Sequence, residues 1–270
     1  MNLTRVIFLG SRPLGKVALQ ILQELPNIEI IATVVKEPSK KAWWKDDPFQ
    51  IAAKVLQSHE EIKDLDFDLA VSVNYWRYID ANILRVPSLG FVNLHHSYNL
   101  SLRGRNMTSR AILSARSLNR WYHGSTLHYM DNSLDTGPII ASRSCEITQI
   151  DTAWSLFHKV EFLGEKLLKE WLPRLSLSKV PAAYPEKDQP ICLDRENENM
   201  YIKDIFHEPL ISFDIVRAFD FNRYFDLAHT FINKKNFFLT TIPNPGEIPL
   251  LKIDSDRIIY SSYSTYASFN

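Results

Sequence analysis

The first half of the sequence alternates short apolar segments, rich in β-branched residues, with amphipathic segments. These patterns predict strands over residues 4–9, 28–35, 68–73 and 91–95, and a helix over residues 16–25. Strands that alternate with helices are typical of parallel βαβ construction, and continuous apolar strands are expected where helices cover both faces of a sheet. The chain is therefore predicted to be an α/β protein with a Rossmann-like, mostly parallel sheet.

The second half begins with similar elements and then changes character. Further predicted elements are a turn at 10–15, helices at 49–56, 107–116 and 151–172, the last with Asp151 or Thr152 as N-cap, and strands at 125–130 and 138–145. Residues 173–190 hold four prolines and are interpreted as a boundary. We expect a catalytic domain at residues 1–175 and a small, mixed or mostly β region at residues 176–270, with alternating segments such as 252–260.

Composition excludes several classes of protein. Lys plus Arg and Asp plus Glu number 31 each, so the formal charge is zero and no global field favours nucleic acid or an anionic membrane. The two cysteines, Cys145 and Cys192, have no CxxC partner and no histidines at zinc-finger spacing. No apolar segment approaches the roughly 20 residues needed to cross a bilayer. We expect a cytoplasmic protein with neither a membrane nor a nucleic acid as its partner.

The segment GSRPLGKV, residues 10–17, is close to a phosphate-binding P-loop. Val17, however, stands where the loop requires a magnesium-binding Ser or Thr, and the segment is not GxGxxG. The missing Ser or Thr disfavours a nucleoside triphosphatase, and the missing GxGxxG pattern disfavours a dinucleotide-binding protein. The segment can still offer backbone N–H groups and Arg12 to an anion.

The segment VNLHHSYN, residues 92–99, places polar residues at the end of an apolar strand. Strand periodicity puts Asn93 and His95 on one face and Leu94 and His96 on the other. Ligands gather at the carboxyl ends of strands in open α/β sheets. An imidazole base paired with an amide donor suits the attack of an amine on a carbonyl. The alternative is a hydrogen-bonded polar network with no function beyond structure.

A second group of polar residues follows the strand predicted at 125–130. Asp135 lies two residues before Gly137, which permits a tight turn that can aim the carboxylate back at the sheet. A carboxylate near His95 would stabilise the protonated imidazole. The alternative is that Asp131, Asn132 and Asp135 only form turns.

Taken together, these segments resemble the folate-dependent formyltransferases. The resemblance rests on Asn93 to Ser97 (NLHHS), residues 102–106 (LRGRN), residues 123–128 (HGSTLH) and residues 135–137 (DTG), and it covers roughly residues 1–170. Members use 10-formyltetrahydrofolate as donor and include glycinamide ribonucleotide, methionyl-tRNA and nucleotide-sugar amine enzymes. The resemblance implies that Asn93, His95 and Asp135 are catalytic and that no metal is required.

The resemblance also implies a folate site, and it has two departures. The pteridine pocket is expected to be lined by residues 74–79 and 130–135, and the residues singled out are Trp76, Arg77, Tyr78, Met130 and Asp131. Packing at a strand end is the alternative for the aromatic residues. His96 stands where the family commonly has proline, and residues 99–102 lack the usual Leu-Pro. These departures concern loop shape and acceptor fit.

Residues outside the catalytic and folate motifs favour a nucleotide-linked amino sugar as acceptor. The substrate-binding residues implied by likeness to the sugar N-formyltransferases are Arg12, Trp43, Trp44, Arg103, Arg105 and Asn106. Arginines can neutralise a diphosphate, and an exposed tryptophan can stack on a base, although packing at the sheet edge is equally open for the tryptophans. A neutral charge argues against tRNA. Glycinamide ribonucleotide enzymes typically end soon after their long helix.

The expected acceptor is thus a dTDP-linked 3- or 4-amino-dideoxyhexose used in surface polysaccharide synthesis, with GDP- and UDP-sugars still open. The resemblance implies a homodimer, with the C-terminal region serving dimerisation or acceptor binding. Three alternatives remain: a glycinamide ribonucleotide or methionyl-tRNA formyltransferase, a folate-dependent hydrolase, and a non-catalytic protein that binds sugar nucleotides.

Overall fold

The computed structural model describes residues 3–36, 44, 53–186, 191–192, 209–221, 228–232, 235–240, 252–254 and 257–259. The strands are β1 Thr4–Ser11, β2 Ile28–Lys36, β3 Lys54–Val55, β4 Leu69–Val73, β5 Gly90–His95, β6 Arg103–Gly104, β7 Tyr122–Tyr129, β8 Ile139–Glu146, β9 Ile191–Cys192, β10 His229–Ile232, β11 Lys235–Thr240, β12 Lys252–Asp254 and β13 Arg257–Ile259. The helices are α1 Arg12–Glu24, α2 Ala81–Leu84, α3 Met107–Ala115, α4 Ala153–Leu175 and α5 Pro209–Phe219, with 3-10 helices at His59–Asp64 and Tyr98–Leu100.

A seven-stranded sheet in the order β3-β2-β1-β4-β5-β7-β8 forms the framework of the protein. The strands from β3 to β5 are parallel to their neighbours, and β7 is antiparallel to β5. The predicted α/β class with a mostly parallel, Rossmann-like sheet is therefore confirmed. The chain leaves β1 toward β2 and later returns to β4 on the other side, so the topological switch point, where such sheets bind ligands, lies between β1 and β4.

Both faces of the sheet are covered, as the apolar strands predicted. Successive residues of β1 alternate between the two faces: Val6 and Phe8 pack with α1 and the second half of α4, whereas Ile7 and Leu9 pack with the first 3-10 helix and α2. All four side chains are completely buried. Because burial of each such side chain stabilises the fold by roughly 1.5–3 kcal/mol, this alternation fixes the register of β1.

Two local predictions are wrong. The predicted turn at 10–15 does not form, because β1 runs to Ser11 and α1 begins at Arg12, where Pro13 in the first turn favours immediate helix formation. Residues 54–55 of the predicted helix at 49–56 form a strand instead, which pairs with β2. Pairing with an open sheet edge overrides a weak helical pattern there. Residues 49–52 lie outside the described residues.

The predicted N-cap of α4 is confirmed for Thr152. Its Oγ1 accepts a hydrogen bond from the Ser155 backbone N–H at 3.2 Å, and Ser155 Oγ accepts one from the Thr152 backbone N–H at 3.0 Å. This reciprocal arrangement satisfies donors that the first turn of a helix leaves without partners. Of the helices in the described ranges, none combines the length and apolarity needed to span a membrane.

The chain divides into two compact units. The first comprises residues 1–104, 124–144 and 160–191, and the second comprises residues 105–123, 145–159 and 192–270. The second unit contains α3, α5 and a four-stranded sheet in the order β10-β11-β13-β12. It also contains the fully buried Arg217, which pairs with Asp214 at 2.9 Å. The boundary expected between residues 175 and 176 stays a prediction.

Candidate active site

Asn93 lies on β5 and is fixed from both neighbouring strands. The register pairs it with Ser72 of β4 and with His128 of β7. Ser72 Oγ donates a hydrogen bond to Asn93 Oδ1 at 3.0 Å, and Asn93 Nδ2 lies 3.2 Å from His128 Nε2. Both contacts are consistent with one orientation of the amide, in which Oδ1 accepts and Nδ2 donates.

The hydrogen atom on His128 can be placed from its second partner. His128 Nδ1 lies 2.9 Å from the Tyr129 carbonyl oxygen, which can only accept, so Nδ1 carries the hydrogen and Nε2 accepts from Asn93. Burial lowers the pKa of His128 to about 4, and the negative charge of Asp135 opposes this effect. At neutral pH His128 is therefore uncharged and holds Asn93 so that its second amide hydrogen stays available.

His95 also lies on β5, at its carboxyl end. Its Nε2 lies 3.0 Å from the Leu102 carbonyl oxygen, so Nε2 carries a hydrogen and the neutral ring has its lone pair on Nδ1. The loop that brings Leu102 there is anchored at Ser97, whose Oγ accepts from the Leu102 N–H at 2.8 Å. Thr126 Oγ1 in turn donates to the Ser97 carbonyl at 2.5 Å. The loop therefore fixes the orientation of the imidazole.

Asp135 meets both imidazoles from the loop after β7. Its Oδ2 lies 3.7 Å from His95 Nε2 and its Oδ1 lies 3.9 Å from His128 Nε2, while Oδ2 accepts from the Gly104 N–H at 2.9 Å. The side chains of His95 and Asp135 are only 10% and 9% exposed. The carboxylate of Asp135 and the imidazole of His95 are therefore close together and largely removed from solvent.

The loop that carries Asp135 is held in an unusual conformation. Asp135 has a φ of +50°, in the left-handed region that few residues other than glycine adopt. Gly137 is required by close packing, since a Cβ atom there would lie 1.8 Å from the Tyr129 carbonyl oxygen. Such strain persists only where the surrounding structure enforces it, and it clusters at functional sites.

The structure therefore brings Asn93, His95 and Asp135 into one group. Sequence reasoning missed two members of this group, Ser72 and His128, which hold Asn93 from either side. Their positions depend on the register of β5 against β4 and β7, which no local pattern reveals. His128 stood within the motif residues 123–128 but carried no separate signal.

The residues predicted for folate lie in two loops that touch. Tyr78, after β4, donates from its hydroxyl to the Asn132 carbonyl at 2.9 Å, in the loop after β7. Trp76 lies 4.7 Å from Tyr75 between ring centroids, and Met130 packs with Tyr75 against the core. Arg77 is exposed. Backbone groups and an indole suit a flat ring with amide-like edges, and a part for these residues in binding a pteridine stays a prediction.

Asp131, by contrast, is occupied within its own loop. Its Oδ1 accepts from the Ser133 N–H at 3.1 Å and from Thr136 Oγ1 at 2.6 Å. This is the turn-forming alternative described above for Asx residues. A part for Asp131 in folate binding stays a prediction.

The residues predicted for the acceptor are distributed over both units. In the first unit the Arg12 guanidinium lies over the Trp44 ring, 5.4 Å from its centroid, and Arg103 is partly buried in β6. Burial lowers the pKa of Arg12, and Glu161 opposes this effect. In the second unit Arg105 and Asn106 are exposed immediately before α3. Trp43 lies outside the described residues.

The arrangement has the parts needed for attack on a carbonyl carbon. Asn93 presents an amide hydrogen, His95 a lone pair, and Asp135 a carboxylate 3.7 Å from the His95 ring. Throughout the described part of the chain, no group of three or more His, Cys, Asp or Glu side chains is arranged to hold a metal ion. A Rossmann-like sheet with such a group at its carboxyl edge suits the transfer of an acyl group to an amine.

The chain belongs to the formyl transferase family, whose sequence signature matches residues 8–172. It is 30% identical over 201 residues to the methionyl-tRNA formyltransferase of Nitrosospira multiformis. The aligned residues make up 68% of this chain and 62% of that protein. The chain spans about three fifths of the length of the curated relatives it matches, between 59% and 64% for three of them.

Two solved structures share the fold. The N-formyltransferase from Helicobacter canadensis, in complex with folinic acid and dTDP-3-aminofucose, has a TM-score of 0.73 at 19% identity and covers 96% of each chain. A 4-N formyltransferase from Francisella tularensis has a TM-score of 0.74 at 16% identity, covering 89% of this chain and 98% of that chain.

Proposed function

We propose that the protein transfers the formyl group of 10-formyltetrahydrofolate to the amine of a nucleotide-linked amino-dideoxy sugar. A dTDP-linked 3- or 4-amino-dideoxyhexose is the favoured acceptor. The observation that carries the proposal is the group formed by Asn93, His95 and Asp135. These residues lie at or near the carboxyl ends of strands, where a parallel sheet binds ligands, and each side chain is oriented by a hydrogen bond.

The donor supplies a formyl group on nitrogen, which is more reactive toward an amine than an unactivated amide. The two touching loops that contain Tyr78 and Asn132 would hold its pteridine ring, with Trp76 beside it and Met130 beneath. The folinic acid bound by the H. canadensis enzyme, which has the same fold, supports this assignment.

Asn93 stabilises the negative charge that develops on the formyl oxygen as the amine attacks. Ser72 and His128 already hold the amide in its donating orientation, so no reorganisation accompanies the reaction. Preorganised donors of this kind are typically worth about 3–4 kcal/mol of transition-state stabilisation.

His95 takes the proton that the attacking amine loses. The bond between the formyl carbon and N10 of the donor then breaks, and N10 takes up a proton, so that the products are the formylated amine and tetrahydrofolate. The lone pair of His95 lies on Nδ1, because Nε2 donates to the Leu102 carbonyl. Asp135 stabilises the resulting imidazolium through a 3.7 Å electrostatic contact and can also orient a water molecule for the same transfer. The acceptor amine must be uncharged when it attacks, because the nitrogen lone pair forms the new bond.

Several features support a sugar nucleotide as acceptor. Arg12 offers a permanent positive charge to a diphosphate, and the face of Trp44 lies next to it. Arg103, Arg105 and Asn106 are further proposed contacts of the diphosphate or sugar. The fold is shared with an enzyme whose structure contains dTDP-3-aminofucose. A neutral chain is better suited to this ligand than to a polyanion.

Methionyl-tRNA is the second candidate acceptor. It is favoured by one specific observation, the 30% identity to the Nitrosospira multiformis enzyme. We also propose a cytoplasmic location and a homodimer, with residues 176–270 serving dimerisation or acceptor binding. A part in surface polysaccharide synthesis follows from the sugar acceptor and fails with it.

A panel of acceptors tests the proposal. The protein is incubated with 10-formyltetrahydrofolate and, separately, dTDP-, GDP- and UDP-amino sugars, glycinamide ribonucleotide and methionyl-tRNA, and products are weighed by mass spectrometry. The expected result is the gain of one CO unit on a dTDP-amino sugar alone. Formylation of methionyl-tRNA instead would replace the proposed acceptor, and release of formate without any acceptor would indicate a hydrolase.

A further inference from the structure

A second group of polar side chains lies on the opposite face of the sheet from Asn93 and His95. On this face Leu94 packs toward α1 and α4, since a Cβ atom on Gly164 would come within 2.9 Å of Leu94 Cδ2 and 3.0 Å of Leu14 Cδ2. His96 follows Leu94 by two residues and meets Glu161, one helical turn before Gly164. We call Arg12, Asn74, His96 and Glu161 the Glu161 cluster.

The cluster is centred on one carboxylate. Glu161 Oε1 lies 3.2 Å from His96 Nε2, and Asn74 Nδ2 donates to the same oxygen at 3.5 Å. The side chains of His96 and Glu161 are each 13% exposed, so they are largely but not completely removed from solvent. Arg12 lies within electrostatic reach of Glu161, which opposes the lowering of the Arg12 pKa by burial.

The cluster lies at the switch point of the sheet. Arg12 directly follows β1, Asn74 directly follows β4, and Ser11 Oγ donates to the Asn74 carbonyl at 2.6 Å across the two strand ends. Arg12 and Asn74 have φ values of +66° and +56°. Open α/β sheets bind ligands outside the strands where the order of the strands reverses. The cluster therefore occupies the crevice that the topology assigns to a ligand.

Stability alone does not account for these residues. Removing a carboxylate and a guanidinium from water is unfavourable, and well-packed apolar side chains of similar volume often stabilise a protein as much or more. The face below the cluster is apolar, with Leu14 and Leu94 in contact with α4. The position of the Glu161 cluster at the carboxyl ends of β1 and β4, next to this apolar layer, is explained if its side chains contact a ligand.

We propose that Glu161, held by His96 and Asn74, is the subsite that binds the sugar ring of the acceptor. Its carboxylate accepts hydrogen bonds from the hydroxyl and amine groups of the ring, while Arg12 beside it faces the diphosphate. A cluster that contains a guanidinium and a carboxyl group suits a ligand that has both an anion and neighbouring hydrogen-bond donors. The inference rests on the proposed function.

The test separates the sugar from the nucleotide. Glu161→Gln keeps the shape and removes the charge, and His96→Gln removes the ring that orients the carboxylate. Glu165→Gln is the matched control, because Glu165 lies one turn further along α4 and pairs with Lys169 at 2.5 Å. For each variant we would measure Kd for dTDP and for folinic acid by calorimetry, and KM for the dTDP-amino sugar that the parent formylates fastest.

The expected result is a rise of about tenfold or more in the KM of the amino sugar for Glu161→Gln, and a smaller rise for His96→Gln. The Kd values for dTDP and folinic acid should stay within twofold of the parent, which shows that the site is folded. Glu165→Gln should match the parent throughout.

An unchanged KM in both cluster variants would overturn the inference while leaving the proposed function standing. Equal losses for dTDP, folinic acid and the amino sugar would overturn it as well, because the residues would then be structural. A parent protein that formylates no amino sugar would overturn the proposed function itself, and the inference with it.

Discussion

The imidazoles of His95 and His128 both lie in the candidate active site, and hydrogen bonds to main-chain carbonyls leave a different ring nitrogen of each with the lone pair. His128 donates from Nδ1 to the Tyr129 carbonyl and uses its lone pair to hold Asn93. His95 donates from Nε2 to the Leu102 carbonyl and keeps its lone pair on Nδ1. With a pKa of about 4, His128 is a poor base at neutral pH because burial disfavours its charged form. In the proposed reaction the base is therefore His95 rather than His128.

The burial of His128 predicts a pH dependence of stability. Unfolded His128 takes up a proton near pH 6.5, whereas the folded group does so only near pH 4, so the group contributes stability that is present above pH 6.5 and lost as the pH falls toward 4. Between pH 7 and 5 this loss is about 2 kcal/mol. The free energy of unfolding of His128→Gln, measured with urea, should fall less over this range by that amount.

The exposed His158 provides a control, as His158→Gln should follow the parent. If the free energy of unfolding fell equally between pH 7 and 5 in His128→Gln and in the parent, His128 would not be held neutral by burial.

At the residue scale the sequence singled out Asn93, His95 and Asp135, because together they form a motif with a chemical rationale. The structure brings the three together, and their catalytic part stays a prediction. The sequence could not identify Ser72 or His128, since a serine and a histidine in separate strands gain meaning only from the register that brings them to Asn93. Glu161 escaped notice for the same reason: its partner His96 is distant in the sequence.

At the scale of elements, the loops after β4 and β7 do most to shape the site. Strand alternation was predicted correctly for β5, where Val92 and Leu94 pack in the layer with α1 and α4, and Phe91 packs in the opposite layer. The ends of elements were harder to predict. The strand β3 exists because β2 offers an edge to pair with, and α1 begins directly after β1 because Pro13 suits a first turn. Neither boundary follows from the periodicity of apolar residues alone.

The contact between these two loops predicts an effect on the donor. Tyr78→Phe removes the hydroxyl that donates to the Asn132 carbonyl and leaves the ring in place. We expect the KM for 10-formyltetrahydrofolate to rise by about two- to tenfold, the range for one hydrogen bond, with the acceptor KM unchanged.

The exposed Tyr184 offers a matched control for this substitution, and Tyr184→Phe should leave both constants unchanged. A normal donor KM in Tyr78→Phe would mean that the two loops position the donor without this contact.

At the scale of the whole molecule, charge bears on which acceptor is used. Acidic and basic residues balance at 31 each, whereas a protein that grips tRNA benefits from a basic surface. The fold class was predictable, because alternating strands and helices permit few arrangements. The helix α5 in the otherwise β-rich C-terminal region was not predictable, because the alternating segments around it dominated the pattern.

The balance of charge predicts a weak response to salt. For a dTDP-amino sugar, kcat/KM should change by less than about threefold between 50 and 200 mM salt, because few charges meet in the complex. Steady-state rates at several salt concentrations measure this. A fall of roughly 10³-fold would indicate several phosphate contacts and would favour a nucleic acid acceptor.

The joint action of His95 and Asp135 in formyl transfer is tested most directly by single-turnover transfer of labelled formyl from 10-formyltetrahydrofolate to a dTDP-amino sugar. His95→Ala and Asp135→Ala should each slow the transfer by about 100-fold or more, while folinic acid and dTDP bind as in the parent. Transfer rates within a few-fold of the parent in either variant would contradict the proposed chemistry.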